Sequence, residues 1–328
     1  MVICKTPMRI SFLGGGTDYP EYYRRHGGQV FCTSIDKYSY VVAKAYPAYF
    51  AHNIKVSYSK LEFVSSVEDL HHPVVRECFK FLDIHRDIEI QYTADLPART
   101  GMGSSSSFTV CLLHSLYTHK GEVVSKRRLA EEAVYIEQEI LKERVGSQDQ
   151  FGAAIGGLQR IQFGTDGHID CEPIPLTSEK LESFGRNLIL FYTGLTRTAH
   201  EVLREQIDKT NSGDLDSQLH KLGALVTPAV DAVIKGDFDE FGEILDCGWV
   251  IKQSLSSQIA NDQIAEWYQK AKGAGAIGGK LLGAGGGGCL LFYAPDHTHN
   301  ALRSALSELR EIPFRFDREG SSIIFVHR

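Results

Sequence analysis

The sequence has no long hydrophobic run and no long basic stretch. In 328 residues no segment approaches the roughly eighteen consecutive apolar residues of a membrane-spanning helix. The start, MVICKTPMRISF, lacks the basic, apolar and cleavage-site pattern of a signal peptide. The densest basic group is SKRRL at Ser125–Leu129, and the formal net charge is −6. These absences argue against membrane and nucleic-acid partners, and they predict a cytoplasmic protein.

Cysteine pairs at metal-binding or redox spacing are also missing. The seven cysteines are widely scattered along the chain, and no two of them form a CxxC pair. This distribution predicts free thiols in apolar surroundings instead of a disulfide framework or a metal site.

Two common nucleotide-binding signatures are absent as well. No Gly-Lys pair precedes Ser or Thr at the spacing of a Walker A loop, and the HRD and DFG signatures of protein kinases do not occur. Gly283, Gly285 and Gly288 satisfy GxGxxG, but they precede an apolar strand. Because a dinucleotide-binding fingerprint opens a helix, we interpret this match as accidental.

The length and the order of predicted elements indicate two domains of the α+β class. A chain of 328 residues exceeds the size at which one hydrophobic core usually keeps growing. Strand-like alternation dominates the first hundred residues, with a turn predicted at Ile35–Lys37, and helical periodicity dominates from Thr198 to about Ala271. We therefore predict a domain boundary near residue 195, which divides the chain into 1–195 and 196–328.

The first clear helix follows a run of small residues, LPARTGMGSSSSF at Leu96–Phe108. Apolar side chains surround the axis of this helix, which predicts that it is buried on most sides. The backbone N–H groups at a helix start have no intrahelical partner and carry partial positive charge, so glycine and serine there form a natural phosphate cradle. The alternative is a capped helix that merely begins with small residues.

A second helix is predicted in SKRRLAEEAVYIEQEILKER, with Ser125 as its N-cap. Its apolar residues form one broad stripe at helical spacing. Glu137 falls inside this stripe, whereas Glu139 falls outside it, where acids are expected. A carboxylate at position 137 would be buried and uncompensated unless a cation or hydrogen bonds met it.

Three segments, in this order, resemble the GHMP kinase superfamily, named for galactokinase, homoserine kinase, mevalonate kinase and phosphomevalonate kinase. They are TPMRISFLGGGTDYPEYY (Thr6–Tyr23), TGMGSSSS (Thr100–Ser107) and KLLGAGGGG (Lys280–Gly288), and they span almost the whole chain. The first segment, together with FYTGLTR at Phe191–Arg197, is most similar to the branch that contains D-glycero-α-D-manno-heptose 7-phosphate kinase. That branch phosphorylates the anomeric hydroxyl of a sugar or sugar phosphate.

The resemblance implies a two-domain α+β fold and a phosphotransferase activity. The N-terminal domain would be like the second domain of ribosomal protein S5, and the C-terminal domain would be ferredoxin-like. ATP would be the phosphoryl donor, Mg²⁺ would be the metal, and a heptose 7-phosphate would become the 1,7-bisphosphate. The alternatives are a kinase for an unphosphorylated sugar such as fucose or galactose, a non-catalytic nucleotide or sugar sensor, and a decarboxylating lyase. The expected partners are ATP and a sugar or sugar phosphate, with a homodimer as the candidate assembly.

The resemblance assigns the catalytic roles to Asp149 and Arg9. Asp149, in GSQDQFG, matches the family's catalytic aspartate and would accept the hydroxyl proton or orient the hydroxyl. Its alternative role is to cap the helix that follows Gly146. Arg9 is the matching cation, which would polarise the hydroxyl or stabilise charge on the transferred group.

The ATP phosphates and the metal are assigned to the serine run and to the second helix. The resemblance implies phosphate binding by Gly101, Gly103, Ser104, Ser105 and Ser106. It implies metal binding by Ser105 and by an acid of the next helix, and we prefer Glu137 to Glu139 because Glu137 lies in the apolar stripe. Its position twelve residues before Asp149 also resembles galactokinase. Mg²⁺ suits this oxygen-only ligand set. The alternative is a buried structural hydrogen bond from Glu137.

Sugar binding is assigned to the first segment, at Gly14, Gly15, Gly16, Thr17 and Asp18. Asp18 would accept hydrogen bonds from sugar hydroxyls, and the glycines would let the backbone approach the ring.

A phosphate already present on the substrate needs additional cations. Arg197 is the predicted contact, and Arg24, Arg25 and Arg99 are further candidates. The alternative is that these arginines are solvated surface residues that bind no phosphate. The adenine contacts are expected in YSKLEFVSS. The glycines after Lys280 would either border the phosphate site or form a tight structural turn.

Overall fold

The strands gather into two sheets. The computed structural model describes residues 1–47, 49–195, 207–256, 259 and 261–327. The strands are β1 (Val2–Leu13), β2 (Gly28–Ala45), β3 (Ile54–Ser57), β4 (Leu61–Val64), β5 (Ile88–Ala94), β6 (Leu158–Phe163), β7 (Ile169–Pro173), β8 (Leu188–Tyr192), β9 (Gly278–Leu281), β10 (Cys289–Tyr293), β11 (Arg310–Glu311), β12 (Phe316–Asp317) and β13 (Ser322–Val326).

The helices lie mainly between these strands and in the second half of the chain. They are α1 (Pro20–His26), α2 (Pro73–Phe81), α3 (Ser104–His119), α4 (Lys126–Val134), α5 (Gln148–Ile155), α6 (Ser178–Arg186), α7 (Asp216–Ala224), α8 (Val226–Lys235), α9 (Phe238–Gln253), α10 (Asp262–Gly273) and α11 (His299–Ala305). Residues 207–212 are also helical, and 3₁₀ turns occur at Val67–Asp69 and Asp296–Thr298.

The larger sheet is built around the two long strands β1 and β2. Among the described residues it has nine strands. Six follow the order β13-β1-β2-β5-β3-β4, β6 and β12 also pair with β2, and β7 pairs with β6. The smaller sheet has the order β11-β8-β10-β9. Every pairing is antiparallel except that of β3 with β5. Mainly antiparallel sheets with separate helices are the α+β arrangement that the sequence predicted.

The turn predicted at Ile35–Lys37 is wrong, because β2 continues through it for 18 residues. The pairing of β1 with β2 instead shifts register there, from Pro7 opposite Tyr38 to Met8 opposite Ile35. Proline has no N–H to donate to the ladder, so an irregular step at Pro7 leaves the strand pairing otherwise intact. The local break in strand pattern therefore indicated a bulge and not a change of direction.

The two sheets do not divide at the predicted domain boundary. Strand β8, which precedes residue 195, pairs with β10 and β11 in the smaller sheet. Strands β12 and β13, at the end of the chain, return to the larger sheet and pair with β2 and β1. The boundary near 195 thus does not coincide with the division between the sheets, because the chain crosses between them on both sides of it.

A shared hydrophobic core joins the two sheets. Phe12 of β1 packs with its ring 5.4 Å from that of Phe241 on α9 and 5.8 Å from that of Phe184 on α6. Leu190 and Leu291 of the smaller sheet are buried in the same cluster. Because protein interiors are close-packed, this core holds the two halves in a fixed relation.

Helix α3 is buried on most sides, as predicted. Phe108 and the apolar residues that follow it belong to the core of the larger sheet, including Val110, Leu112, Leu113 and Leu116. Full burial of each such side chain is worth about 1.5–3 kcal/mol. The helix begins after Gly103, whose φ of 67° lies in the left-handed region that glycine adopts readily.

The second predicted helix changes its winding before it reaches the predicted end. Ser125 caps α4 by accepting a hydrogen bond from the Arg128 N–H, as predicted. At Tyr135–Ile140 the chain forms a π-helical turn, in which the Leu141 N–H donates to the Ile136 carbonyl. Single π-helical turns within α-helices occur frequently at functional sites. Glu137 lies inside this turn.

All seven cysteines are free, as predicted. Cys4, Cys32, Cys78, Cys111 and Cys289 are buried, whereas Cys171 is half-buried and Cys247 is exposed, so the predicted apolar surroundings hold for five of the seven. Within the described ranges, no helix combines the length and the apolar character needed to cross a membrane.

Candidate active site

One cavity of about 510 Å³ receives side chains from both sheets. The larger sheet's half contributes β1, the loop after it, the start of α3 and the start of α5. The smaller sheet's half contributes α9, β9 and the glycine-rich loop that follows β9. The predicted site residues that line this cavity are Arg9, Gly15, Gly16, Asp18, Gly101, Gly103, Ser104, Ser105 and Asp149.

Arg9 and Asp149 are joined inside this cavity by a two-point ion pair. Arg9 Nε donates to Asp149 Oδ1 and Nη2 donates to Oδ2, both at 2.7 Å. The third nitrogen, Nη1, donates to the Gly101 carbonyl at 2.7 Å. Arg9 is buried, whereas 23% of the Asp149 side chain is exposed. The carboxylate is therefore held rigidly while part of it still faces the cavity.

Asp149 does not cap helix α5, which was the alternative for this residue. The N-cap position is Ser147, and its side chain accepts no hydrogen bond from the first turn. Both oxygens of Asp149 bond Arg9 instead.

The N-terminus of α3 opens into the cavity beside this pair. Gly101, Gly103, Ser104 and Ser105 line the wall there. The Met102 carbonyl accepts a hydrogen bond from the Arg9 backbone N–H at 3.1 Å, which ties the loop to β1. A 16-residue helix carries partial positive charge at this end, so the wall attracts a phosphate group.

Asp18 lies in the same cavity and is held by its own loop. The Gly16 N–H donates to Asp18 Oδ1 at 2.9 Å. Burial raises the pKa of Asp18 to about 6, and the charge of nearby Asp149 adds to the rise. A hydrogen-bonded carboxylate in this position can accept hydrogen bonds from sugar hydroxyls.

Glu137 is buried behind the wall of the cavity and accepts three side-chain hydrogen bonds. Ser106 and Gln150 donate to Oε2 at 2.8 and 2.5 Å, and Thr109 donates to Oε1 at 2.5 Å. Burial raises the pKa of Glu137 to about 7 in spite of these bonds. The contacts are the buried structural hydrogen bonds that were the alternative for this residue.

The donor set of Ser105 and Glu137 nevertheless fits a hard cation such as Mg²⁺. A carboxylate offers about four acceptor positions, and the three hydrogen bonds use three of them. Ser105 lines the cavity and offers a hydroxyl oxygen, and Mg²⁺ prefers oxygen ligands. The metal role of both residues stays a prediction.

The glycine-rich loop after β9 packs directly on the start of the serine segment. A Cβ on Gly283 would lie 2.6 Å from the Gly101 Cα, and one on Gly288 would lie 2.7 Å from the Thr100 carbonyl oxygen. Gly283, Gly285 and Gly287 also line the cavity. The loop is thus a tight contact between the two halves as well as part of the cavity wall, and it leads into β10 and not into a helix.

Several predicted site residues do not line the cavity: Gly14, Thr17, Ser106 and Glu137. The Thr17 hydroxyl bonds the Gly14 and Gln29 carbonyls, so it braces the glycine loop from behind. The Ser106 hydroxyl is turned inward to Glu137. Arg197 lies outside the described residues.

The other arginines predicted as candidates for phosphate binding lie in different surroundings. Arg25 is bound to Asp216 through two nitrogens, at 2.7 and 2.9 Å. Arg24 lines a separate, smaller cavity, and Arg99 lines the main one.

Two lysines in the cavity were not found by sequence reasoning. Lys280 on β9 is 6% exposed and donates to the Phe12 carbonyl at 2.7 Å. Lys252 on α9 donates to the carbonyls of Leu281 and Gly283 at 3.2 and 2.5 Å. Lysine is rarely buried, so its presence within the strand sequence GGKL was a signal that could have identified Lys280.

Two neutral side chains with orphaned oxygens also line the cavity. Ser11 Oγ and Gln148 Oε1 are buried, and neither has a hydrogen-bond partner among the described residues. Buried polar atoms are usually hydrogen-bonded, so these two are suited to a polar ligand. Ser11 lies two residues after Arg9, and period-2 alternation on β1 could have placed both on one face.

An apolar end of the cavity is formed by His72, Val74, Tyr92 and Phe108. The Phe108 ring lies 4.5 Å from that of Tyr92 and 5.2 Å from that of His72. Burial lowers the pKa of His72, and its Nδ1 has no partner among the described residues. None of the segment Tyr58–Ser66, in which adenine contacts were expected, lines the cavity.

Comparisons with known proteins indicate the family to which the chain belongs. Residues 70–157 match the GHMP kinases N terminal domain, and residues 229–311 match the GHMP kinases C terminal domain. The D-glycero-alpha-D-manno-heptose 7-phosphate kinase of Campylobacter jejuni is 25% identical and covers 96% of both chains. A galactokinase of Pyrococcus furiosus is 26% identical over 96% of this chain and 94% of its own.

The fold is shared with solved structures over the whole chain. A D-glycero-D-manno-heptose 1-phosphate kinase from Bacteroides thetaiotaomicron superposes with a TM-score of 0.82 at 21% identity, covering 100% of both chains. The predicted two-domain α+β fold is therefore confirmed. The matches cover both halves of the chain in the expected order, and the protein belongs to the GHMP kinases, a family of phosphotransferases.

Proposed function

We propose that this GHMP kinase transfers a phosphoryl group from ATP to the anomeric hydroxyl of D-glycero-D-manno-heptose 7-phosphate and so forms the 1,7-bisphosphate. The observation that carries the proposal is the convergence of the Arg9–Asp149 pair, the α3 N-terminus and Asp18 in one cavity. Phosphoryl transfer requires mainly positioning and charge stabilisation, which this set supplies. The similarity to the Campylobacter jejuni enzyme supports a sugar phosphate as acceptor.

ATP would bind along the wall that α3 and the apolar end form. Its phosphates would lie at Gly101, Gly103, Ser104 and Ser105, where free backbone N–H groups and the helix dipole favour anions. The adenine would lie against Tyr92 and Phe108. His72, whose pKa is lowered by burial, offers it a ring nitrogen that has no partner in the described part of the chain.

The sugar would bind on the side of the glycine loop. Asp18 would accept hydrogen bonds from its hydroxyls, and the orphaned oxygens of Ser11 and Gln148 would accept others. The anomeric hydroxyl would then face the exposed part of Asp149, which takes its proton or orients it. Arg9 holds that carboxylate and stabilises negative charge on the transferred group.

Mg²⁺ would be held by Ser105 and Glu137 together with the ATP phosphates. When bound, it neutralises phosphate charge in the cavity.

The test is an ADP-release assay with mass detection of the product, across heptose 7-phosphate, heptose, mannose, fucose and galactose. We expect the highest kcat/KM with heptose 7-phosphate and a product that carries phosphate at the anomeric carbon. Binding of ATP and sugar without ADP formation would instead identify a sensor. Release of carbon dioxide would identify a lyase.

A second candidate is a sugar 1-kinase for an unphosphorylated sugar. The similarity to the galactokinase of Pyrococcus furiosus, at 26% identity over nearly the whole chain, favours this alternative. Higher kcat/KM with galactose or fucose than with heptose 7-phosphate would select it.

A further inference from the structure

Lys252 and Lys280 bring positive charge into the cavity, and neither forms an ion pair with a carboxylate of the described residues. Arg9 is neutralised by Asp149, and Arg144 at the rim pairs with Asp208 at 3.1 Å. In contrast, both lysines bond only backbone carbonyls in the part of the chain that the structure describes.

The cavity is therefore positive in a protein that is negative as a whole. Five Arg and Lys side chains line it against three Asp and Glu side chains, whereas the chain carries a net charge of −6. The pKa of Lys252 is lowered to about 8, mainly by burial and in smaller part by the charge of Arg9, while Asp18 opposes the change. Burial and the charge of Lys252 likewise hold the pKa of Lys280 well below its usual value. A bound dianion would relieve this mutual repulsion.

The two ammonium groups keep hydrogen-bond donors for a ligand. Each lysine has three N–H donors. Lys280 uses one on the Phe12 carbonyl, and Lys252 uses two on the carbonyls of Leu281 and Gly283. Three donors are left between them, which is enough to bind the oxygens of one phosphate group.

Their position favours the sugar side of the cavity. Lys280 is anchored to Phe12, two residues before the Gly14–Gly16 loop that is proposed to approach the sugar ring. The ATP phosphates already have a separate site at the N-terminus of α3. Both lysines come from the smaller sheet's half, on α9 and β9, so they complete the cavity from the side that α3 does not form.

We propose that Lys252 and Lys280 bind the phosphate group that the acceptor sugar already carries. This inference rests on the proposed function, because it assigns the substrate's own phosphate to residues of the same cavity. It differs from the expectation that arginines hold this phosphate. Arg25 is bound to Asp216 and Arg24 lies in another cavity, whereas Arg99 lines this cavity and Arg197 lies outside the described residues. The lysine pair would make the enzyme prefer a phosphorylated sugar to the same sugar without phosphate.

The test compares one sugar with and without its phosphate in Lys252→Met and Lys280→Met. Methionine keeps an unbranched stem and removes the charge. With heptose 7-phosphate we expect KM to rise about 10- to 100-fold, as for loss of a hydrogen bond to a charged group. With unphosphorylated heptose, KM and kcat should change less than about 3-fold, and KM for ATP should stay the same.

Lys272→Met is the control, because Lys272 also donates to a backbone carbonyl, that of Ile277 at 2.6 Å, but does not line the cavity. Unlike the two cavity lysines, it also pairs with Asp246 at 3.1 Å. It should leave both sugars unaffected. Equal losses with the two sugars, or a higher KM for ATP in the cavity variants, would overturn the inference, because the lysines would then serve ATP or the transferred group. Lys252→Arg, which keeps the charge, should retain most of the preference.

Calorimetric titration of the wild-type chain separates this inference from the proposed function. We expect heptose 7-phosphate to bind at least about tenfold more tightly than heptose, and the advantage to vanish in the Met variants. A chain that binds the sugar phosphate in this way without turnover would contradict the kinase and support the lysine site. Equal affinity of the wild-type chain for the two sugars overturns the lysine site, whether or not a Met variant folds.

Discussion

Arg9 on β1 and Asp149 on α5 meet in a two-point ion pair, with both N–O distances at 2.7 Å. The planar guanidinium fits the carboxylate at both oxygens, which fixes the direction of each group. The residues are 140 positions apart in sequence, so the pair forms only when β1 and α5 pack together. This ion pair is the proposed catalytic centre.

The first prediction is that Asp149→Asn loses about 10²- to 10⁴-fold in kcat, since an amide does not accept the hydroxyl proton. The measurement is the initial rate of ADP release with heptose 7-phosphate. Arg9→Lys is the companion variant, because it keeps the charge and removes the two-point geometry. It should also lower kcat. Wild-type turnover in Asp149→Asn would exclude this residue as a base.

The sequence predicted the parts of this site that lie in contiguous segments. The serine run, the glycine loop with Asp18, and the buried helix α3 are each visible in a stretch of about twenty residues or less. Lys252 was missed because it lies on an ordinary-looking helix and reaches the cavity only through the packing of α9 on β9. The aromatic end was missed because His72 and Phe108 are 36 residues apart and meet only in the folded chain.

The division of the strands between the two sheets was likewise not predictable from local sequence patterns. The local patterns of β12 and β13 indicate strands but contain nothing about which sheet they join. Their pairing with β2 and β1 is decided by contacts about 280 to 320 residues apart in sequence. Glu137 is an intermediate case, because helical spacing correctly placed it in a buried stripe while its hydrogen-bond partners came from α3 and α5.

A second prediction concerns the contact between the two glycine loops. A Cβ on Gly101 would lie 2.4 Å from the Leu282 carbonyl oxygen, and its φ is 79°. Gly121 has a similar φ of 81° but has nothing within 4 Å. We therefore expect Gly101→Ala to lower the free energy of unfolding by about 1–3 kcal/mol more than Gly121→Ala does, because only the first adds a clash to the backbone strain.

Urea denaturation of both variants measures this difference. Gly101→Ala should also lower kcat, since the displaced Gly101 carbonyl accepts a hydrogen bond from Arg9. Equal destabilisation by the two substitutions would show that the loops separate without cost.

A third prediction uses the buried carboxylate of Asp18. Its pKa is raised from 3.8 to about 6, so the folded state binds the proton more tightly than the unfolded state does. The free energy of unfolding should therefore fall as the pH rises from about 4 to about 6, by about 3 kcal/mol from this group. In Asp18→Asn that part of the decline should be missing.

Urea denaturation at several pH values between 4 and 7 gives the two profiles. Asp69→Asn is the control, because Asp69 is exposed and does not line the cavity. Its profile should follow that of the wild-type chain. Parallel profiles for Asp18→Asn and the wild-type chain would mean that folding does not raise the pKa of Asp18.

The last prediction separates the two roles of Glu137. As a metal ligand it would be needed for the response to Mg²⁺, whereas as a structural group it would be needed only for stability. Glu137→Gln keeps the size of the side chain, and Gln150 has an oxygen without a described partner that can meet the new amide. Thr109→Val removes one hydrogen bond to Glu137 and leaves the carboxylate in place.

We expect Glu137→Gln to raise the Mg²⁺ concentration for half-maximal activity at least about tenfold, the effect of losing about 1.4 kcal/mol of binding. Thr109→Val should lower the free energy of unfolding by about 1–3 kcal/mol, because it leaves a buried charge with one partner fewer, and it should shift the Mg²⁺ dependence less than Glu137→Gln does. Magnesium titrations of activity, run beside urea denaturation of each variant, measure both quantities. Loss of stability in Glu137→Gln with an unchanged Mg²⁺ requirement would assign Glu137 to the hydrogen-bond network alone.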